Sequence, residues 1–206
     1  MDPKRHWEQV YGGKAADAVS WFEPHAATSL ALIEQAAPGG SARIIDVGGG
    51  ASTLVDDLLL AGYRDVTVVD LSAAALAAAQ ARLGPVARRV HWLVGDITSM
   101  DLPGLPYDLW HDRAVFHFLV EEAARRAYVA QVLRAVRPGG HVIVATFGAQ
   151  GPTQCSGLPV KRYNADTLHD EFGRAFDLVE HREHEHCTPG GLVQQFVYCY
   201  CRKVLT

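Results

Sequence analysis

The residues best placed for chemistry begin with Asp46-Val47-Gly48-Gly49-Gly50-Ala51-Ser52, an acid followed by a run of glycines. Glycine lets a backbone take positive φ and come close to a ligand. Asp70 follows about 20 residues on, the spacing that sets a carboxylate on ribose hydroxyls. Asp96, after Gly95, can accept a hydrogen bond from the exocyclic amine of a base. Thr53 stands where a dinucleotide fingerprint needs its third glycine, which counts against a nicotinamide or flavin. A second group lies near the other end. His184, His186 and Cys187, joined by Cys155 or Cys199, have the donor atoms of a metal site. The two histidines sit at i, i+2 on an expected strand, and neither CxxC nor HExxH spacing occurs. A metal-free protein is therefore the expectation, with all four cysteines reduced.

These residues need a scaffold, and the sequence supplies alternating strands and helices. Strands are expected at Arg43–Val47, Val66–Asp70, Val90–Val94, Tyr107–Asp112 and His141–Phe147. Between them run helical stretches: one capped by Ser52 and reaching Leu60, one capped by Ser72 and reaching Gly84, and one ending at Val136. Strand and helix in turn mean βαβ units, right-handed crossovers and a parallel sheet. Two helices are expected before residue 40, around Trp7–Tyr11 and over Pro24–Ala37. A short helix over Ala165–Phe172 and extended segments at Phe176–Glu183 and Leu192–Lys203 finish the chain. In the last segment Phe196, Tyr198 and Tyr200 face one way, and Val197, Cys199 and Cys201 the other. Apolar residues on both faces mark a strand inserted within the sheet. The expected fold is α/β, a Rossmann-like doubly wound sheet with an antiparallel last strand and an N-terminal helical cover. One domain is expected over 1–206, divided into a cover (1–40), a cofactor-binding core (41–147) and an acceptor-side loop with closing strands (148–206).

In that order, the Asp46–Ser52 turn, Asp70, Gly95-Asp96-Ile97 and Arg137-Pro138-Gly139-Gly140 resemble the successive motifs of class I S-adenosylmethionine-dependent methyltransferases. The resemblance covers about residues 40–147. It implies S-adenosyl-L-methionine as cofactor, with Asp46, Gly48 and Gly50 at its methionine part. Asp70 and Leu71 fall at the ribose, and Asp96 with Ile97 at the adenine. It also directs attention to the end of the fourth strand, which borders the transferred methyl in that family. There His111 is a candidate general base, because histidine titrates near neutrality. Asp112 is grouped with it as catalytic, and Arg113 with the substrate, the alternative being that Asp112 and Arg113 pair with each other. The aromatic N-terminal segments, Trp7–Tyr11 and Ser20–His25, resemble the covers of small thiol, thiopurine and lysine methyltransferases. This assigns Trp21 to the cofactor and Tyr11 to the substrate. Cys155, in the loop after the fifth strand, joins them as a pocket residue.

Composition narrows the acceptor. The 206 residues are 49% hydrophobic and 20% charged, enough for a packed core, and the net charge is −4. The basic residues form no stripe for a phosphate backbone, and the Asn/Asp-Pro-Pro-Tyr/Phe sequence of amino-methylating enzymes is absent. No apolar run approaches the ~18 residues of a membrane span, and the first residues lead into no signal-like apolar stretch. A cytoplasmic enzyme acting on a small-molecule nucleophile through sulfur, nitrogen or oxygen is expected, without nucleic-acid or membrane partners, as monomer or homodimer. The alternatives are a protein lysine methyltransferase and a domain that binds the cofactor without turning it over.

Overall fold

The structure is a computed structural model and describes residues 2–205, so the expected outer bounds, 1 and 206, lie outside the described residues. One seven-stranded sheet carries the chain in the order β3-β2-β1-β4-β5-β9-β8. Its strands are β1 (Arg43–Val47), β2 (Asp65–Asp70), β3 (Val90–Val94), β4 (Tyr107–Arg113), β5 (Val136–Phe147), β8 (Phe176–Cys187) and β9 (Val193–Lys203). A separate hairpin pairs β6 (Gln154–Cys155) with β7 (Leu158–Pro159). β1 to β5 are parallel, whereas β9 runs antiparallel between β5 and β8. Why it lies inside the sheet is visible in β9 itself. Phe196, Tyr198 and Tyr200 enter the core on one face of the sheet, and Val197, Cys199 and Cys201 enter the core on the other.

The helices are α1 (Pro3–Gly13), α2 (Ala27–Ala36), α3 (Leu54–Leu60), α4 (Ala73–Leu83), α5 (Glu122–Ala135) and α6 (Ala165–Phe172). Ser72 caps α4 by accepting from the Ala75 amide at 3.1 Å, as its position predicts. Three expectations are corrected. α3 begins at Leu54, with Thr53 in the cap position, although the Ser52 hydroxyl still accepts from the Leu54 amide at 3.2 Å. α2 starts at Ala27, not Pro24. The stretch after β4 is not one helix: a single 3₁₀ turn over Phe116–Phe118 precedes α5. The turn is separate because the Asp112 carboxylate takes the Val115 and Phe116 amides at 2.9 and 3.1 Å, ending β4 in a tight reversal. Among the described residues no helix is long and apolar enough to cross a membrane. β1 lies between β2 and β4, so the strand order reverses there and a crevice opens at the strands' carboxyl ends.

Candidate active site

The loop after β1 fills the floor of that crevice. Gly48 has φ +69°, and a Cβ there would lie 1.9 Å from Val115 Cγ2, so no side chain fits. Gly49 is equally constrained from the other side: a Cβ would meet Asp46 Oδ2 at 2.5 Å and Val68 Cγ1 at 2.6 Å. Above the loop is a cavity of about 380 Å³. Gly48, Asp70, Leu71, Asp96 and Ile97 line one part, and Phe118, Leu119, Val120, Cys155, Leu158 and Pro159 another. Trp7, Tyr11, Trp21 and Arg113 also line it. Gly50 lies beneath the Asp70 carboxylate and the Tyr11 hydroxyl.

Asp70 is a buried carboxylate on the cavity wall. Its Oδ1 accepts from the Ser72 amide at 2.8 Å. Burial, with the Asp46 and Glu8 carboxylates adding to it, pushes its pKa up to about 7 against those backbone donors. Asp96 spends Oδ1 on the Thr98 amide and hydroxyl, at 2.8 and 2.7 Å, so an adenine amine would use Oδ2. These features fit S-adenosylmethionine. The loop admits a ligand where side chains are excluded, and a buried carboxylate lacking a cationic partner stands where two hydroxyls would donate to it.

α1 covers the cavity, and although inward-facing side chains such as Tyr11 are partly buried, no residue of the helix is fully so. What holds it is Glu8. Its carboxylate accepts from the Ala73 amide at 2.7 Å, the Ala74 amide at 3.2 Å and the Ser72 hydroxyl at 3.3 Å. Those amides are the unpaired first donors of α4, at the positive end of its dipole. Trp7 completes the contact, edge-on to Trp21 at 5.6 Å and to Phe118 at 5.1 Å. The Trp21 indole donates to the Tyr11 hydroxyl at 3.1 Å; burial and the nearby Asp70 nevertheless hold that phenol well above its usual pKa. Glu8→Ala should therefore destabilise the protein by about 1–2 kcal/mol and speed dissociation of S-adenosylhomocysteine several-fold. Stopped-flow dissociation at the wild-type rate would show that Glu8 does not hold the cover.

Three expected site residues lie elsewhere. His111, only 2% exposed, does not reach the cavity: its Nδ1 meets Asp46 Oδ1 at 2.7 Å and its Nε2 meets Ser29 Oγ at 2.9 Å. The parallel register pairs Asp46 with His111, so the two side chains leave the sheet on the same face and find each other. Asp46 is thereby withdrawn from the cofactor, and both residues border a smaller void of about 40 Å³ behind the loop. Asp112 is fully buried under the reversal it caps and accepts from the Tyr128 hydroxyl at 2.6 Å. Burial raises its pKa to about 6 against these donors. Arg113 pairs not with Asp112 but with Glu23 at 2.8 Å, and lies 4.6 Å over the Phe196 ring. Cys155 does line the cavity; burial pushes its thiol up to about 11, so it stays neutral near pH 7. Ser29 and Val115 fall in no motif, and Glu8 and Glu23 lie within the aromatic N-terminal segments without being marked out there.

The arrangement, a seven-stranded sheet with a glycine turn under a cavity of about 380 Å³, is that of the Rossmann-like methyltransferase fold. Residues 44–140, nearly half of the chain, match the family model described as a methyltransferase domain. Among curated relatives, EEF1A lysine methyltransferase 4 of Mus musculus is 33% identical over 107 residues, which is 51% of this chain and 40% of that protein. An uncharacterised methyltransferase of Mycobacterium tuberculosis is 31% identical over 121 residues, 57% of this chain and 56% of the relative. The chain thus spans about half the length of the curated relatives it matches. Among solved structures, the Burkholderia thailandensis 1,6-didemethyltoxoflavin-N1-methyltransferase superposes with a TM-score of 0.69 at 20% identity, over 98% of this chain and 84% of that one. At that identity the likeness is one of fold.

Proposed function

We propose that this chain transfers a methyl group from S-adenosylmethionine to a small nucleophile, and that the acceptor is a thiol or a neutral amine. The observation that carries this reading is the make-up of the cavity wall. Its far part, Leu119, Val120, Ala124, Leu158 and Pro159 with the exposed Glu121 among them, is mostly apolar and bordered by the β6–β7 hairpin, which suits a compact, partly apolar acceptor. No histidine is among the lining residues, and Tyr11 and Cys155 are held protonated by burial. Among the described residues the cavity lining offers no imidazole to deprotonate an alcohol, and its only carboxylates are Asp70, Asp96 and Glu121, so an acceptor that brings its own nucleophilicity is favoured. A thiol is already a few per cent thiolate at neutral pH, and a neutral amine needs no base for attack. Arg113 on the cavity wall favours an anionic sulfur, tempered by its partner Glu23. When bound, the cofactor supplies a methyl on a positively charged sulfur, open to in-line displacement. The chain's own residues orient the two reactants: Asp70 and Asp96 at one end, the apolar wall at the other, with Trp7, Tyr11 and Trp21 keeping water out.

A second reading, transfer to a protein lysine, is favoured by the name of the mouse relative and by the aromatic wall of Trp7, Tyr11, Trp21 and Phe118. The test is a panel of thiols, amines, phenols and lysine peptides, read by release of S-adenosylhomocysteine. Turnover of thiols or small amines well above phenols is expected. Turnover confined to lysine peptides would replace this proposal with the second. Cofactor binding with no transfer to any of them would leave a binding domain.

A further inference from the structure

Away from the cavity, three donors from distant parts of the chain converge between the N-terminal cover and the sheet edge. Glu23 Oε1 lies 3.1 Å from His186 Nδ1 and 3.4 Å from His184 Nε2. The two histidines stand at i, i+2 on β8 and so share a face. None of the three lines the 380 Å³ cavity. Among the described residues this is the one group of three or more such donors within 4.8 Å of one another.

The hydrogen positions set the problem. His186 Nε2 is 2.7 Å from the Ser20 carbonyl oxygen, which can only accept, so Nε2 carries a hydrogen. In a neutral ring Nδ1 then turns a lone pair toward a carboxylate oxygen at 3.1 Å. Something positive belongs between them. His184 is arranged alike: Nδ1 lies 3.2 Å from the Thr28 hydroxyl, which leaves Nε2 aimed at the same centre. A carbonyl or hydroxyl on the far ring nitrogen is the outer support that ligating histidines ordinarily have. The spacing agrees as well. Bonds of about 2.0–2.1 Å at tetrahedral angles put neighbouring ligand atoms about 3.3 Å apart, beside the 3.1 and 3.4 Å seen here.

We propose that Glu23, His184 and His186 form a two-histidine, one-carboxylate site for a zinc-like divalent ion, which clasps the N-terminal cover to β8. Imidazole with a single carboxylate selects zinc and its neighbours over calcium or magnesium, which prefer all-oxygen shells. Arg113, 2.8 Å from the same Glu23 oxygen, takes one of its lone pairs and repels the ion. Affinity should accordingly fall short of the tightest structural sites, in the micromolar region. The expectation of a metal-free protein was drawn from sequence spacing, which shows the two histidines but not Glu23, some 160 residues earlier.

The test is isothermal titration of the chelator-treated full chain with zinc alone, and with cobalt alone followed by its visible spectrum. One equivalent of zinc should bind, with a tetrahedral cobalt spectrum. His184→Ala, at the half-exposed ligand, should weaken zinc binding at least tenfold while circular dichroism and S-adenosylhomocysteine affinity stay at wild-type values. His186→Ala should do the same, but its burial puts folding at risk, so His184→Ala decides. Absence of zinc binding, or zinc binding that His184→Ala leaves unchanged, overturns the proposal; the first result would mean that a proton on His186 fills the gap.

Discussion

Asp70→Asn is expected to weaken S-adenosylhomocysteine binding by about 10²–10⁴-fold and to leave the protein folded. Hydrogen bonds to a charged group contribute ~1.5–3 kcal/mol each, and two ribose hydroxyls would donate to this carboxylate. At about 1.4 kcal/mol per decade, their loss spans that range. The fold should tolerate the change because the carboxylate is itself a burden: burial and the Asp46 and Glu8 charges raise its pKa to about 7. A carboxyl whose folded pKa lies above its unfolded value costs stability once ionised. That cost is present above about pH 7 and fades as pH falls toward the unfolded pKa of 3.8. Asp70→Asn removes the cost, so its melting temperature at pH 8 should equal or exceed that of the wild type. Binding has the opposite dependence. Hydroxyl donors select the ionised form, so wild-type affinity should fall about tenfold per pH unit below pH 7. Asp70→Asn should be flat over the same range. Calorimetry showing equal affinity for both proteins, or a flat wild-type profile, would remove Asp70 from the ribose site.

Why Asp70 was legible and His111 was not is a matter of which distances matter. Asp70 is placed by its own strand end and by Ser72 two residues later, all local. The five parallel strands, the insertion of β9 and the bounds of α6 were likewise readable, because buried β-branched runs and two-sided apolar patterns are local signals. His111 has a strand-end address too, but its partner is fixed by register with β1, and register is not written in either strand alone. Glu8 meets the α4 amides across some 65 residues, and Glu23 meets His186 across 163. No short-range pattern carries such pairs. Val115 shows the same limit at shorter range. Its place over Gly48 depends on the reversal that Asp112 caps, where the sequence reads only as the start of a helix.

The same register yields the second large effect. His111→Ala is expected to cost about 3–5 kcal/mol of stability, read by denaturant unfolding, while turnover of the folded protein stays within tenfold of wild type. His111 is the one protein donor to the Asp46 carboxylate, whose Oδ2 already lacks a hydrogen-bond partner among the described residues. Removing it strands a charge in a site that is 2% exposed, the costly half of breaking a buried pair. Ser29 loses its partner as well, leaving only a long 3.4 Å contact to the Tyr198 hydroxyl. If the loss comes from the stranded carboxylate, Asp46→Ala in the same chain should recover part of it, because replacing both partners is cheaper than removing one. A general base would behave otherwise. Its removal would cost ~10²–10⁴-fold in turnover, with no coupling to Asp46 in the unfolding data. Wild-type stability with turnover down by about 10³-fold would return His111 to the reacting atoms and require the acceptor to reach behind the glycine loop.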